Sequence, residues 1–307
     1  MNAQVTISVV IPNYNHSRTL PKSICSVINQ TPNVDEVIIV DDCSTDDSHK
    51  IAKDFQNRYS QIRVISNKNN LGVMGALNVG LREVSSEYVL FLSSNDYLLD
   101  GIIGSARESL LKIKAGLWSA LIYKEVDQKR KLYPSPIVLK NEGYISPKKC
   151  ISYLNSVGSW FTGTTMLFRT EVLKELGGFE EKYYGFADMY AAMIIASKHG
   201  AYFKPTPYGV ASVHENSVLH NTLLDEELLH KTIYIMVENG KANNKELFSN
   251  AFIDKFSRRI KYSGEVQRIK FKKLRSLIMT LLFIKLRIKE IAPFVYYRFL
   301  MKSYRDK

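Results

Sequence analysis

Four short apolar runs, each closed by a polar cluster, constrain this chain more than any other feature. Thr6–Ile11 (TISVVI) leads into Pro12-Asn13-Tyr14-Asn15, and Glu36–Val40 (EVIIV) leads into Asp41-Asp42-Cys43-Ser44. Arg63–Ser66 (RVIS) precedes Asn69-Asn70-Leu71-Gly72, and Tyr88–Leu92 (YVLFL) precedes Ser93-Ser94-Asn95-Asp96. Runs this short and this rich in β-branched residues read as buried strands. Between them, Leu20, Ile24, Val27 and Ile28 recur at helical spacing, as do Ile51, Phe55 and Tyr59, and then Leu77, Leu81 and Val84. Strand–helix alternation predicts an α/β fold: a mostly parallel, Rossmann-like sheet flanked by helices. Right-handed crossovers then carry the four polar clusters to one edge of the sheet, where open α/β sheets bind ligands.

Beyond residue 125 the pattern loosens. Pro134, Pro136 and Pro147 break any long element in 126–160. A helix is predicted over Thr170–Leu176, ended by Gly177-Gly178, and another from Ala187 to Lys198, closed by Gly200. Residues 223–240 and 244–300 read as helical.

Charge divides the chain. Residues 1–240 hold 24 basic and 25 acidic side chains, against 18 and 5 in 241–307, so the whole of the net +12 lies in the last part. Basic residues there (Lys270, Lys272, Lys273, Arg275, Lys285, Arg287, Lys289) flank Leu277–Ile284 and the aromatic stretch Phe294–Phe299. That combination fits a helix lying in an anionic headgroup layer, and equally a helical pair with a solvated basic face or an oligomer interface. No nucleic-acid module accompanies the charge, so no nucleic-acid partner is expected. The longest apolar run is too short to span a bilayer. Three cysteines without paired spacing, and an N-terminus without a signal pattern, predict a cytoplasmic chain, and the basic, apolar tail predicts that it is peripheral at the inner face of a membrane.

The strand-end clusters suit a nucleotide-diphosphate ligand. Tyr14 offers a ring to stack on a base, Asp41 and Asp42 offer acceptors for base and ribose, and Asp96 offers a carboxylate for a divalent metal. Adjacent carboxylates at the end of a buried strand repel unless something uses them. Ser44-x-x-Asp47 fits a helix capping box, a structural role. Asp188 opens an apolar helix, where an N-cap is the plainer reading. Trp160-Phe161-Thr162-Gly163 reads equally as core or as an aromatic floor for a sugar acceptor. His49, His199, His220 and His230 read as solvated.

The stretches VVIPNYN, VIIVDDCSTDDS, NKNNLGVMGALNVGL, SSEYVLFLSSNDYL, the run from GTTMLF to GAYFKP, and VHENSV resemble, in order and spacing, a family 2 glycosyltransferase of the GT-A fold. The match covers roughly residues 5–220, implying a catalytic domain over 1–222 and a helical basic segment over 223–307. It implies inverting transfer from a nucleotide-diphosphate sugar, UDP-sugar favoured, to a glycan or lipid-linked acceptor in cell-surface polysaccharide synthesis. The implied donor contacts are Pro12, Asn13, Tyr14, Asn15, Asp41, Asp42, Ser44, Asn70, Gly72, Asn78 and Asn95. Asp96 and His214 are the implied ligands of Mn2+ or Mg2+, and Asp188 is the implied catalytic base. The chain departs from the family pattern twice. Ser94 stands where relatives carry the first Asp of an Asp-x-Asp, which predicts weaker metal binding. Leu77 stands where relatives often carry Arg. These departures leave open a nucleotide-sugar-binding or scaffold relative that has lost catalysis. A nucleotidyltransferase or hydride-transfer enzyme needs a glycine-rich loop after the first strand, and Pro12–His16 has none.

Overall fold

The computed structural model describes residues 4–126, 128–212 and 217–271. The strands are β1 (Ile7–Asn13), β2 (Glu36–Asp41), β3 (Ile62–Ser66), β4 (Tyr88–Phe91), β5 (Tyr97–Leu98), β6 (Leu117–Val126), β7 (Lys129–Leu132), β8 (Gly143–Ile145), β9 (Leu167–Arg169) and β10 (Ala201–Ser212). The helices are α1 (Leu20–Ile28), α2 (Ser48–Arg58), α3 (Gly72–Glu83), α4 (Ile102–Lys112), α5 (Pro147–Val157), α6 (Thr170–Glu175), α7 (Ala187–His199), α8 (Val218–Leu224), α9 (Glu226–Asn243) and α10 (Asn250–Phe271).

All the strands join one sheet in the order β3-β2-β1-β4-β9-β6-β10-β5, with β7 on β6 and β8 on β10. The β3-β2-β1-β4 half is parallel throughout. β9 runs antiparallel between β4 and β6, and the β6–β10 pair is parallel again. Every residue of β1 is buried, as expected for a central strand covered on both faces. Ile7, Val9 and Ile11 pack with α1, α2 and α4, whereas Val10 packs with α3 and the α5–α7 side. Gly80 lets α3 lie this close, since a Cβ there would stand 2.4 Å from Val10 Cγ1. The proline-bearing β10 breaks register between Lys204 and Pro207 and again between Pro207 and Gly209, the kind of irregularity that lets proline sit in a sheet.

The four strands and the helices at 170 and 187 fall where the periodicity puts them. Gly177 and Gly178 adopt left-handed φ of 92° and 76°, and Gly178 N–H returns to Leu173 O. α4, α5, β9 and the β6–β7 hairpin are additions. The described part of the C-terminal segment is helical and docked: Leu229, Ile233 and Met236 of α9 and Phe252, Phe256 and Ile260 of α10 share one core with α7. The basic, apolar stretch beyond residue 271 lies outside the described residues, as does His214. Among the described residues no helix is long and apolar enough to cross a membrane.

Candidate active site

The ends of β1 and β2 build one half of the site. Parallel register sets Asn13 beside Asp41. Asn13 Nδ2 donates to Asp41 Oδ1 at 2.8 Å, to Ser48 Oγ at 2.9 Å and to Ser44 Oγ at 3.1 Å. Asp41 Oδ2 takes the Ser44 N–H at 3.2 Å and lies 3.3 Å from His49 Nδ1. The protein itself thus meets the acceptor positions of Asp41. Asp42 differs: its Oδ1 accepts from Asn67 Nδ2 at 2.8 Å and Leu71 N at 2.9 Å, and among the described residues nothing engages Oδ2. Asn13 Oδ1 is buried with no partner among the described residues. A buried orphan acceptor of this kind is met by a ligand or an ordered water.

Tyr14 projects from this edge with 45% of its surface exposed, unusual for a large ring. Asn15 holds a left-handed φ of 57°, which Asn tolerates better than most residues, and its Oδ1 receives the N–H groups of Thr45 and Asp46. The loop carrying Ser44 is thereby pinned to the loop carrying Tyr14. Asp46 accepts from Ser17 N, Ser48 N and the Ser48 hydroxyl. Burial raises its pKa, but these donors outweigh it and hold the carboxyl at about 2. The capping box does not form. Helix α2 starts at Ser48 with Asp47 in the N-cap position and no side-chain cap bond, and Ser44, three residues upstream, turns its Oγ to Asn13 and the Asn15 N–H instead. Asn70 Oδ1 receives Gly72 N–H in a tight turn, and Gly72 takes φ 72° at the N-terminus of α3.

The second half of the site is built around two carboxylates. Asp96 follows β4 and is 9% exposed. Its Oδ2 accepts from Thr164 Oγ1 at 2.9 Å and its Oδ1 from Ser212 N at 2.9 Å, while Ser23 Oγ donates to its backbone carbonyl. Burial pushes its carboxyl up to about 6, with the Ser212 and Thr164 bonds pulling the other way. Asp188 lies in the first turn of α7, behind an N-cap supplied by Phe186, so it is not itself the cap. Its Oδ1 accepts from Met189 N at 2.7 Å. Its Oδ2 lies against Gly163, where a Cβ would stand 2.9 Å away. Burial lifts its proton affinity above the usual carboxylate range. Just upstream, Tyr184 holds φ 46° and ψ −130°, a strained conformation for a side-chain-bearing residue.

Gly163 and Thr164 are consecutive, in a short 3-10 turn after α5. One touches Asp188 and the next touches Asp96. Two carboxylates with raised proton affinity therefore face one turn.

The family model for "Glycosyl transferase family 2" matches residues 8–177. The chain belongs to this glycosyltransferase family. The GalNAc(5)-diNAcBac-PP-undecaprenol beta-1,3-glucosyltransferase of Campylobacter jejuni is 30% identical over 58% of this chain and 56% of its own length. The cholesterol galactosyltransferase of Borreliella burgdorferi is 38% identical over 29% of this chain and 25% of its own. The chain thus matches between a quarter and just over half the length of these two relatives. Among solved structures, S. aureus TarS 1–349 in complex with UDP-GlcNAc superposes with a TM-score of 0.64 at 18% identity, covering 95% of this chain and 79% of the other. The mannosyltransferase PcManGT from Pyrobaculum calidifontis, in complex with GDP-Man and Mn2+, gives 0.61 at 18% identity, covering 98% and 84%. These likenesses establish the shared GT-A fold.

Several expected positions of the glycosyltransferase are used differently. Asn78 clamps a backbone: its Nδ2 donates to Phe179 O at 2.7 Å and its Oδ1 accepts Phe179 N at 2.9 Å. Both ends of its amide are committed to that turn and not to a donor. Trp160 is fully buried and packs on Tyr153 and Phe161, so its face is core and not acceptor floor. Phe161 is half-buried in the same cluster. Thr162 Oγ1 donates to Ala120 O, leaving Gly163 as the exposed member of that stretch. Leu77, at the position of the missing cation, is 8% exposed and packs in the core. Pro12 is buried in β1 opposite Val40, and Asn95 is half-buried beside Asp96. His49 and His199 are not simply solvated. His49 faces Asp41, and burial lowers the proton affinity of His199. Thr164 and Ser212, the partners of Asp96, carry no sequence signal, because contacts 68 and 116 residues apart depend on the fold.

Proposed function

We propose that this glycosyltransferase moves a sugar from a nucleotide-diphosphate donor, UDP-sugar favoured, to a glycan or lipid-linked acceptor with inversion at the anomeric carbon. The observation that carries this reading is the pairing of Asp96 and Asp188 across the Gly163-Thr164 turn. Two solved neighbours, TarS in complex with UDP or UDP-GlcNAc and PcManGT in complex with GDP-Man, support a nucleotide-sugar as the donor.

Tyr14 stacks on the base, Asp42 Oδ2 accepts from base or ribose, and Asp41 with Asn13 fixes the loop that presents them. Asp96 fits a divalent cation. It is a buried carboxylate with no cationic side chain among its described partners, and Mg2+ or Mn2+ is commonly held by one or two carboxylates completed by substrate phosphates. His214 is the second proposed ligand. Among the described residues there is no cluster of three metal-binding side chains. When bound, the cation supplies positive charge against the departing diphosphate.

Asp188 accepts the proton of the acceptor hydroxyl as its oxygen bonds the anomeric carbon and the bond to the diphosphate oxygen breaks. A base is effective when its pKa lies near working pH, which burial promotes here. The relative that acts on an undecaprenol-linked glycan, together with the basic residues of 241–307, supports a role in cell-surface polysaccharide synthesis at the cytoplasmic face of a membrane. The test of the reaction is the anomeric configuration of the product by NMR. Inversion supports Asp188 as base, and retention refutes it.

A further inference from the structure

The β6–β7 hairpin carries charge that the donor and base do not use. The sequence 124–131 holds Lys124, Lys129, Arg130 and Lys131 against Glu125 and Asp127. Antiparallel register sets Lys124 directly opposite Lys131, and like charges facing each other across a ladder destabilise it. On its other face the hairpin joins the site. Arg130 Nε donates to Tyr97 Oη at 3.1 Å, and Tyr97 Oη donates to Glu125 Oε1 at 2.7 Å. Lys22 Nζ lies 3.5 Å above the Tyr97 ring and 3.6 Å from Glu125 Oε2. Two cations surround one carboxylate, so this inner cluster bears one uncompensated positive charge.

The cluster is tied to the reaction centre at three points. Tyr97 is the residue after Asp96. Ser23, next to Lys22, holds the Asp96 carbonyl, and Ser212, opposite Glu125 in the β6–β10 register, holds Asp96 Oδ1. At its base the hairpin ends in Tyr133, close enough to Asp188 for that carboxylate to add to the rise in its phenol pKa caused by burial.

We propose that Lys22 and the β6–β7 hairpin form a binding arm for phosphate groups of the acceptor, so that this enzyme glycosylates a phosphate-bearing chain or carrier. The proposal rests on the transferase reading above. Clustered lysine and arginine side chains recognise phosphate through charge and, for arginine, a bidentate fork. The donor diphosphate is assigned to Asp96 and its cation, which leaves the arm for a second phosphate source.

The test uses the full chain and three titrations: short-chain inorganic polyphosphate, UDP with Mn2+, and vesicles of phosphatidylglycerol. The hairpin pair is Lys22→Glu with Arg130→Glu, the two cations of the inner cluster, and an equal charge reversal elsewhere is Lys245→Glu with Lys261→Glu. The hairpin pair is expected to lose about tenfold or more in polyphosphate affinity while the other pair stays within about twofold, since a local site responds more than the general field of the chain. Equal losses in both pairs overturn the proposal, as does a hairpin effect confined to vesicles. Loss of UDP affinity in the hairpin pair alone reassigns the arm to the donor and also overturns it. Failure of UDP to bind the unmodified chain counts against a UDP donor and not against the arm, and is distinguishable from all of these.

Discussion

Asp188 Oδ2 lies against the Cα of Gly163, close enough that a Cβ there would stand 2.9 Å from it. The next residue, Thr164, bonds Asp96 Oδ2. A two-residue turn thus fixes the separation between the proposed base and the proposed metal carboxylate, and small changes in it should separate chemistry from donor binding.

Gly163→Ala should displace the Asp188 carboxylate by a few tenths of an ångström without straining the backbone, since Gly163 does not have a positive φ. The expected outcome is a fall in kcat of about 10- to 100-fold, the scale of a small misplacement of a catalytic group. Nucleotide affinity measured by calorimetry should not change. A parallel loss of both would place Gly163 in the donor subsite.

Asp188→Asn keeps the shape and removes the base. Turnover should fall by about 10²- to 10⁴-fold, the usual contribution of general base catalysis. In the unmodified enzyme the acid limb of the pH–kcat profile should lie above the ordinary carboxylate range, because burial raises the Asp188 pKa and the base works only when deprotonated. An acid limb near pH 4 would contradict this assignment.

Asp96→Asn should stabilise the metal-free protein at neutral pH. The sign follows from linkage: burial pushes the folded carboxyl up to about 6, against an ordinary value of 3.8. Between these values the folded state binds more protons than the unfolded one, so stability falls as pH rises through that window. The penalty carried above pH 6 is about 3 kcal/mol at most. Asn satisfies both neighbours, its oxygen accepting Ser212 N–H and its amide donating to the Thr164 hydroxyl. Thermal unfolding at pH 5 and pH 8 checks this: the difference in Tm between variant and unmodified protein should grow with pH.

Thr164→Val removes the hydroxyl from Asp96 Oδ2 and should raise the Asp96 pKa further. The loss of one hydrogen bond to a charged group is worth about 1.5–3 kcal/mol, so metal-dependent nucleotide binding should weaken by tenfold or more at pH 6.5 and recover partly at pH 8. A pH-independent loss would indicate a purely structural role.

Much of this arrangement is legible in the sequence. The four parallel strands announce themselves because buried strands demand unbroken β-branched runs, and their polar ends mark the ligand edge. Asp42, Asp96 and Asp188 stand out as carboxylates beside apolar elements. The remainder depends on distance along the chain. Nothing local separates Trp160 as core from Trp160 as a sugar platform, since both need a large aromatic ring. Asn78 looks like a helix residue facing a ligand until Phe179, 101 residues away, takes both ends of its amide. The Lys129-Arg130-Lys131 strand reads as loop because edge strands are commonly charged, a device against aggregation that hides their periodicity. His49 reads as solvated because its partner Asp41 lies on the preceding strand, across a loop whose left-handed Cys43 turns the chain back.

The central claim is that this chain holds a nucleotide-diphosphate sugar on a metal at Asp96. Calorimetric titration with UDP, GDP, dTDP and their sugar conjugates, with and without Mn2+ or Mg2+, tests it most directly. The account predicts micromolar binding of one nucleotide class, strengthened by metal and weakened in Asp96→Asn. Absence of binding by every nucleotide under all conditions, or binding indifferent to both metal and Asp96, would contradict it.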